Sequence, residues 1–540
     1  MTEENVICGG ELRVPISNVS IGIQLHNTLK QSMEMPVFID AFTGDSVSNK
    51  QLLRTASRLG RSLINFGLTK DDIIGVCSEN NLHFFDVVLA GFFSGIAVTT
   101  FSAQYTQGEL IHVANLSQPS IIFSSVQASS TVLKVKDQLK REPKIIIINQ
   151  HENYKGCQSV ENFISENVSK DFNIDEYQPV PVNVKDDVAL ILYSSGTTGL
   201  PKGVMLTHLN INTVHAVQVD GRYSLDVNPC IAFHPFCHTA GLSLTIRTVL
   251  FGSYVLVMVK FDPHVYLRTI RDYRIESLQL VPAVAQFLAQ TNLLEKYDMS
   301  SVTSVMCASA PLLKHTEEEL RKRFKVPIVK QRYGMTETTI GFMGHSVSGE
   351  YPLGSIGSVF PSVSVKIVDI QTGEALGPFE TGEICCRTPM VMKGYINNPR
   401  ATQEMIDVDG WLHTGDVGYY DSCYRFFLVD RIKDLIKCKG LQVAPLELET
   451  LLLSHPKILD CGVIGVPNER YGEVPMAFIV QTRGENLSEQ EVEKFIADQV
   501  APYKQLRGGV RFVSQIPRNP SGKVLRRFLR DEVKKLKSNL

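Results

Sequence analysis

An α/β architecture in two unequal parts is what the sequence predicts, and three patterns predict it. Short apolar runs alternate with helical stretches from Asn49 onward, which argues for parallel sheets covered by helices. From Ser355 to Pro389 the pattern changes to strands with turns at Gly373, Gly377 and Gly382, the mark of an antiparallel region. Beyond Asp430 a smaller set of helices and strands resumes. At 540 residues more than one domain is expected. The predicted division is a large N-terminal domain of helix-covered sheets with a β-rich subdomain, residues 1–429, and a small α/β C-terminal domain, residues 430–540.

Taken in order, Asn49 to Phe66 places Leu52, Leu53, Ala56, Leu59, Leu63 and Ile64 on one helical face. Ile73 to Cys77 reads as a strand, followed by a helix through Phe84, Phe85, Val88 and Leu89 and a strand near Ala97 to Phe101. Thr106 and Glu109 form a capping box before Leu110, Val113 and Ala114. Ile121 to Phe123, Lys144 to Ile148 and Val188 to Leu192 read as further strands. Ile231 to Phe236 is expected to be a strand that ends in Cys237-His238, and Tyr254 to Val259 another. Helices are expected at Pro263 to Tyr273 and Val284 to Thr291, with strands at Ser277 to Val281 and Ser304 to Cys307. In the C-terminal part the pattern gives helix Leu446 to Leu453, strands Cys461 to Val466 and Met476 to Val480, and helix Glu489 to Val500.

Composition narrows the class. Apolar residues make up 44% and charged residues 20%, which fits a globular protein with a large core. A net charge of -2 gives no reason to expect nucleic acid or an acidic membrane surface as a partner. The eleven cysteines show no CxxC pair, so neither a zinc ribbon nor a disulfide framework is suggested, and reduced thiols inside a cell are the default. His234, Cys237 and His238 could be drawn as a metal site, but a fourth ligand is not evident. The N-terminal Met1-Thr2-Glu3-Glu4-Asn5 does not read as a signal peptide, and no apolar run reaches transmembrane length.

One loop carries most of the chemistry. Tyr193-Ser194-Ser195-Gly196-Thr197-Thr198-Gly199-Leu200-Pro201-Lys202-Gly203 packs glycines, hydroxyls and a lysine behind an apolar strand. Glycines let successive amides face a ligand, which makes an anion-binding nest. Hydroxyls add neutral donors and Lys202 a point charge, so the loop suits a polyphosphate. An ordinary polar loop reads equally well from this chemistry alone. The Walker form is excluded, because Gly203 rather than Ser or Thr follows Lys202.

The wording of this loop resembles the signature of the adenylate-forming enzymes, the acyl- and aryl-CoA synthetases, beetle luciferases and peptide-synthetase adenylation domains. Tyr333-Gly334-Met335-Thr336-Glu337, Gly410-Trp411-Leu412-His413-Thr414-Gly415-Asp416, Asp430-Arg431-Ile432-Lys433 with Lys437-Cys438-Lys439-Gly440, and Asn519-Pro520-Ser521-Gly522-Lys523 resemble the same family in the same order. The resemblance covers almost the whole chain and is nearest to insect luciferase-like fatty acyl-CoA synthetases and 4-coumarate-CoA ligases. It implies a carboxylic acid activated by ATP to an acyl-adenylate, then passed to CoA, in a cleft between the large domain and a mobile lid.

The same resemblance implies roles. ATP would meet Ser194, Ser195, Gly196, Thr197, Thr198, Gly199, Lys202, Ala308, Ser309, Tyr333, Gly334, Met335, Thr336, Asp416, Arg431 and Lys523. Thr336 would take the α-phosphate, the Tyr333 ring the adenine, and Asp416 the ribose hydroxyls with Arg431 beside it. Glu337 would hold Mg2+, a hard cation that suits a carboxylate beside phosphate. Lys523, carried on the lid, would stand between the acyl carboxylate and the α-phosphate and stabilise crowded oxyanions. His238 would lie beside the substrate carboxylate. Lys437, Lys439, Gly440 and Gln442 would serve CoA once the lid has turned about Asp430-Arg431. Without that context Thr336 reads as a helix cap, Asp416 as a turn residue, Lys523 as a solvated charge and His238 as a core histidine.

Val214, Ala240, Leu244 and Ile340 stand where luciferases carry bulkier or more polar groups, so the resemblance implies an apolar pocket and a medium- or long-chain fatty acid. An aryl acid is the alternative, and luciferase activity a third. Another nucleotide enzyme and a non-catalytic relative also stay open. Lys202, Glu337, Asp416, Arg431 and Lys523 together speak against the second. The last tripeptide, Ser538-Asn539-Leu540, is similar to a peroxisomal address read by an import receptor, with Asn539 in place of the usual basic residue. The expected location is the peroxisome, or otherwise the cytoplasm.

Overall fold

The computed structural model describes residues 5–194, 200–223, 229–438, 441–518 and 523–538. Ser195 to Gly199, Lys439, Gly440, Asn519 to Gly522, Asn539 and Leu540 from the motifs above lie outside the described residues.

Eight strands form the first sheet, in the order Gly394–Tyr395, Lys202–Thr207, Val188–Ser194, Ala97–Phe101, Ile73–Cys77, Ile121–Ser124, Lys144–Ile147 and Gln158–Ser159. From Val188–Ser194 to Gln158–Ser159 the pairing is parallel. Parallel strands need crossovers, and helices supply them. Helix Asn49–Asn65 buries Leu52, Leu53, Ala56, Leu59 and Leu63 as its spacing predicts. Every residue of helix Phe84–Ser94 is buried, which fits its all-round apolar sequence and central position. The capping box at Thr106 is present: Glu109 N–H donates to Thr106 Oγ1 at 3.3 Å, and Thr106 N–H to Glu109 Oε2 at 2.9 Å.

The second sheet has ten strands and changes character along its width. Ser277–Leu280, Ser304–Cys307 and Val329–Gly334 pair in parallel. From Val329–Gly334 onward the neighbours, through Gly341–Gly344, Ser355–Val359, Phe426–Arg431, Leu412–Tyr420, Gly382–Arg387 and Ser364–Val368, run antiparallel. The antiparallel region predicted from the glycine turns is therefore continuous with a parallel one. A third sheet of four strands carries Cys230–Ala232, Val255–Val257, Pro36–Asp40 and Ser46–Ser48.

The small C-terminal domain has a separate sheet of five strands, Leu441–Val443, Ile436–Cys438, Gly472–Gln481, Ile458–Asn468 and Val510–Phe512. Its core is its own, built on Ile436, Leu448, Leu452, Val463, Phe478 and Ile496. Arg431 ends a strand of the large sheet and Ile436 begins the small one, so the chain crosses within residues 432–435.

One expectation needs correction. The strand expected over Ile231 to Phe236 is only Cys230–Ala232. Asn80 intervenes: its Nδ2 donates to the Ala232 and His234 carbonyls at 3.1 and 2.9 Å, and its Oδ1 accepts from Phe236 N–H at 2.7 Å. Pro235 has no N–H to continue a ladder. His238 does not end a strand. It precedes helix Thr239–Leu250 and makes no side-chain cap bond there.

Candidate active site

The centre of the site follows from strand register. Asp416 and Arg431 are Cα partners across the antiparallel pair Leu412–Tyr420 and Phe426–Arg431. Directly opposed side chains of opposite charge meet, and Arg431 Nε lies 2.9 Å from Asp416 Oδ1. The other oxygen, Oδ2, accepts from Tyr333 Oη at 2.7 Å. Tyr333 reaches it from Val329–Gly334, the strand where parallel pairing turns antiparallel, with a register shift between Tyr333 and Gly334. Gly334 is required at that shift: a Cβ there would fall 2.0 Å from the Ile340 carbonyl oxygen. Burial and the Asp416 carboxylate push the Tyr333 phenol well above its ordinary range, so it stays a donor. Asp416 is 4% exposed and keeps unused lone pairs toward the cavity. The Tyr333 ring packs edge-on to Phe342.

A second constellation is made by long-range pairing. Gly394–Tyr395 adds to the edge strand Lys202–Thr207, with Tyr395 opposite Val204. Tyr395 Oη donates to Glu337 Oε1 at 2.7 Å, and Lys202 Nζ sits 4.9 Å from the centre of the Tyr395 ring. Glu337 is 4% exposed. It belongs to the short 3-10 turn Thr336–Thr338. Thr338, not Thr336, stitches that turn, taking Met335 N–H at 3.1 Å and donating to the Ile340 carbonyl at 2.8 Å. Thr336 is thus no cap, and among the described residues its hydroxyl makes no hydrogen bond. Lys202 is the Cα partner of Ser194 in an antiparallel pair, so the intervening glycine-rich loop joins two strands of one sheet. No helix N-terminus follows it, and phosphate binding there would rest on amides, hydroxyls and Lys202 rather than on a helix dipole.

A cavity of about 740 Å³ runs between the two domains. Its wall includes Tyr193, His238, Ser309, Tyr333, Gly334, Asp416, Arg431 and Lys523. Pro282, Ala283, Gln286, Ala310 and Pro311 line it too. Ser309 takes a left-handed φ of 78°, a region that non-glycine residues seldom occupy outside functional turns. Ala308 donates its N–H to Leu280 at 3.1 Å and is not part of the wall. Burial lowers the His238 pKa, which keeps the imidazole neutral. Val214 and Leu244 are buried, Val214 in the hydrophobic cluster around Phe342 and Phe360. They do not line the cavity among its described walls, nor do Ala240 and Ile340.

The C-terminal domain contributes Lys523 to this cavity. Burial and the nearby Arg431 and Lys433 charges lower its pKa to about 8, against the opposite pull of Asp416 and Glu337. Those four neighbours show that the lysine stands among the nucleotide-binding candidates. Lys437 and Gln442 are different. They are Cα partners on the small sheet, both exposed, and neither lines the cavity. Sequence reasoning missed Tyr395 and the tyrosine–aspartate bond, since both depend on contacts 58 and 83 residues apart along the chain. It also weighed His234, Cys237 and His238 as metal ligands. The only such group among the described residues is Glu383, Cys385 and His413.

Fold and site together define a two-domain α/β protein with a charged cavity at the junction. Two family models match the sequence, AMP-binding enzyme over residues 25–396 and AMP-binding enzyme C-terminal domain over residues 447–523. The chain belongs to the AMP-binding, adenylate-forming enzyme family. It is 41% identical to luciferin 4-monooxygenase of Nipponoluciola cruciata over 99% of this chain and 98% of that protein. It is 36% identical to 4-coumarate–CoA ligase of Pinus taeda over 96% of this chain and 97% of that one. Of solved structures, ATP-bound MatB from Rhodopseudomonas palustris matches with a TM-score of 0.85 at 27% identity, over 96% of this chain and 100% of that chain.

Proposed function

We propose that the chain is an AMP-forming acid–thiol ligase that activates a medium- or long-chain fatty acid with ATP and transfers the acyl group to CoA. The observation that carries this reading is that Lys523, Arg431 and Asp416 line one cavity, with Glu337 near enough for its charge to act on Lys523. Joining a carboxylate to a triphosphate brings like charges together, and fixed cations in a partly dry cleft lower that barrier. Asp416, oriented by Tyr333 and Arg431, would accept the ribose hydroxyls. Neutral His238 would hold the acyl carboxylate without adding charge. Lys523 would bridge that carboxylate and the α-phosphate. Pro282, Ala283, Ala310 and Pro311 give the cavity apolar wall that an alkyl chain can cover.

Magnesium fits Glu337, a buried carboxylate with one oxygen held by Tyr395 and the other without a donor among the described residues. One protein carboxylate plus phosphate oxygens is the usual provision for this ion, which would supply charge neutralisation to the triphosphate. The identity to a luciferin 4-monooxygenase favours a second reading, oxidation of a luciferin-type adenylate with light emission. The test is to incubate the protein with ATP, magnesium and a panel of fatty and cinnamic acids, with and without CoA. AMP and acyl-CoA should rise in step with fatty acids. AMP formed from cinnamates alone would overturn the substrate class, light from luciferin and oxygen would favour the second reading, and no pyrophosphate from any acid would overturn both.

A further inference from the structure

Away from the nucleotide cavity, three different ligand types meet on one face of the large sheet. Cys385 and His413 are Cα partners across the pair Gly382–Arg387 and Leu412–Tyr420. Glu383, two residues before Cys385, shares its side of the strand. His413 Nδ1 lies 2.9 Å from Glu383 Oε2 and 3.4 Å from Cys385 Sγ. All three ligand atoms fall within 4.8 Å of one another. Zinc–nitrogen and zinc–sulfur bonds of about 2.0–2.3 Å place tetrahedral ligands roughly 3.3–3.7 Å apart, so side-chain adjustments of up to about 1 Å would admit an ion. The other imidazole nitrogen, Nε2, faces Asp407 Oδ2 at 3.6 Å, an outer carboxylate of the kind that orients a ligating histidine.

We infer that Cys385, His413 and Glu383 form a binding site for a zinc-class divalent ion, with one position left for water. Thiolate and imidazole select zinc over magnesium or calcium, and three protein ligands leave the fourth position open. A ligating cysteine binds as thiolate, so the ion displaces the Cys385 thiol proton and binding releases protons to the buffer.

The site has a route to the nucleotide. Between Glu383 and Cys385 the strand register shifts, and the facing strand fits Thr414, Gly415 and Asp416 into that irregularity. Glu383 spans it: Oε1 accepts from Gly415 N–H at 2.9 Å while Oε2 faces His413. An ion that draws Oε2 inward therefore tugs on the residue before Asp416. This coupling rests on the reading of Asp416 as a nucleotide ligand, whereas the metal site does not.

The chain carries its own reporter. Trp411, its single tryptophan, packs against Cys385 and is flanked by Lys366 and Arg387 at 4.5 and 4.6 Å from the ring. Titration of the full-length protein with zinc alone should change Trp411 fluorescence saturably with one ion per chain and release protons. Cobalt should give a thiolate-to-metal absorption band. Cys385→Ser should abolish that band and weaken binding about tenfold or more; His413→Asn should weaken it similarly, while Cys8→Ser, a change at an exposed thiol, leaves both intact. No fluorescence change up to millimolar zinc, or a cobalt band that survives Cys385→Ser, overturns the site. Bound zinc that leaves the KM for ATP unchanged overturns the coupling alone.

Discussion

Two lysines of the C-terminal domain stand in opposite surroundings. Lys523 is half-buried in the cavity wall, among Arg431, Lys433, Asp416 and Glu337. Lys437 is exposed on a short hairpin, where its backbone N–H donates to Glu473 Oε2 at 3.0 Å and its strand partner is Gln442. A charge in a partly desolvated cleft acts on reacting anions far more strongly than one in bulk water. As arranged here, the domain offers Lys523 to chemistry and leaves Lys437 out. If one domain is to serve both an adenylation and a transfer step, it must turn, and residues 432–435 between the two sheets are where the chain can absorb that turn.

The largest expected effect separates the two lysines. Lys523→Ala should slow acyl-adenylate formation about 10²- to 10³-fold, the scale of losing one preorganised charge at the reacting centre. Pre-made acyl-adenylate should still react with CoA at the parental rate. Lys437→Ala should do the reverse, with pyrophosphate exchange untouched and acyl transfer slowed about tenfold, the loss expected for one charge-assisted contact. Equal damage to both half-reactions by both variants would remove the contrast.

The pH dependence sharpens it. In the proposed adenylation Lys523 acts as a cation, and its folded pKa is lowered to about 8. The charged form is therefore complete well below pH 8 and is lost above it. In the free enzyme, kcat/KM for ATP in adenylation should fall about tenfold per pH unit above pH 8. Lys523→Arg, whose guanidinium stays charged, should move that fall beyond the accessible range even if it lowers the plateau. An alkaline limb unchanged in Lys523→Arg would mean that another group titrates.

Much of the fold is legible in the sequence. Ala97–Phe101 and Ser304–Cys307 lie where their apolar runs end, and the Thr106 capping box is a local signal that survives folding. The stretch after Ile231 failed because a side chain from far along the chain, Asn80, takes the carbonyls that a strand would use. Two of the residues expected around the acyl chain lie in the core rather than in the described cavity wall, for a related reason. Val214 and Leu244 are apolar at helical spacing, and such residues fill a core as readily as they line a cavity. Motif wording brought out Asp416, Arg431, Glu337 and Lys523, but it could not show that Tyr333 is the donor that fixes Asp416. That depends on a sheet joining strands from three separate parts of the sequence.

The smallest effect tests the half of the site built on Tyr395 and Lys202 of the large domain. Tyr395 serves two neighbours with different parts of one side chain: its hydroxyl donates to Glu337 and its ring face supports Lys202. Tyr395→Phe removes the hydroxyl alone. A buried carboxylate short of one donor would cost about 1 kcal/mol, roughly fivefold, in the binding that depends on it. The magnesium concentration needed for half-maximal pyrophosphate exchange should shift by that factor, while acyl transfer from pre-made adenylate stays put. Tyr395→Ala removes the ring as well, so the perch of Lys202 goes with it, and KM for ATP should rise beyond the shift seen in Tyr395→Phe. If the two variants behave alike, the ring does nothing for Lys202. If Tyr395→Phe leaves the magnesium requirement unchanged, Glu337 is not the residue that holds the ion.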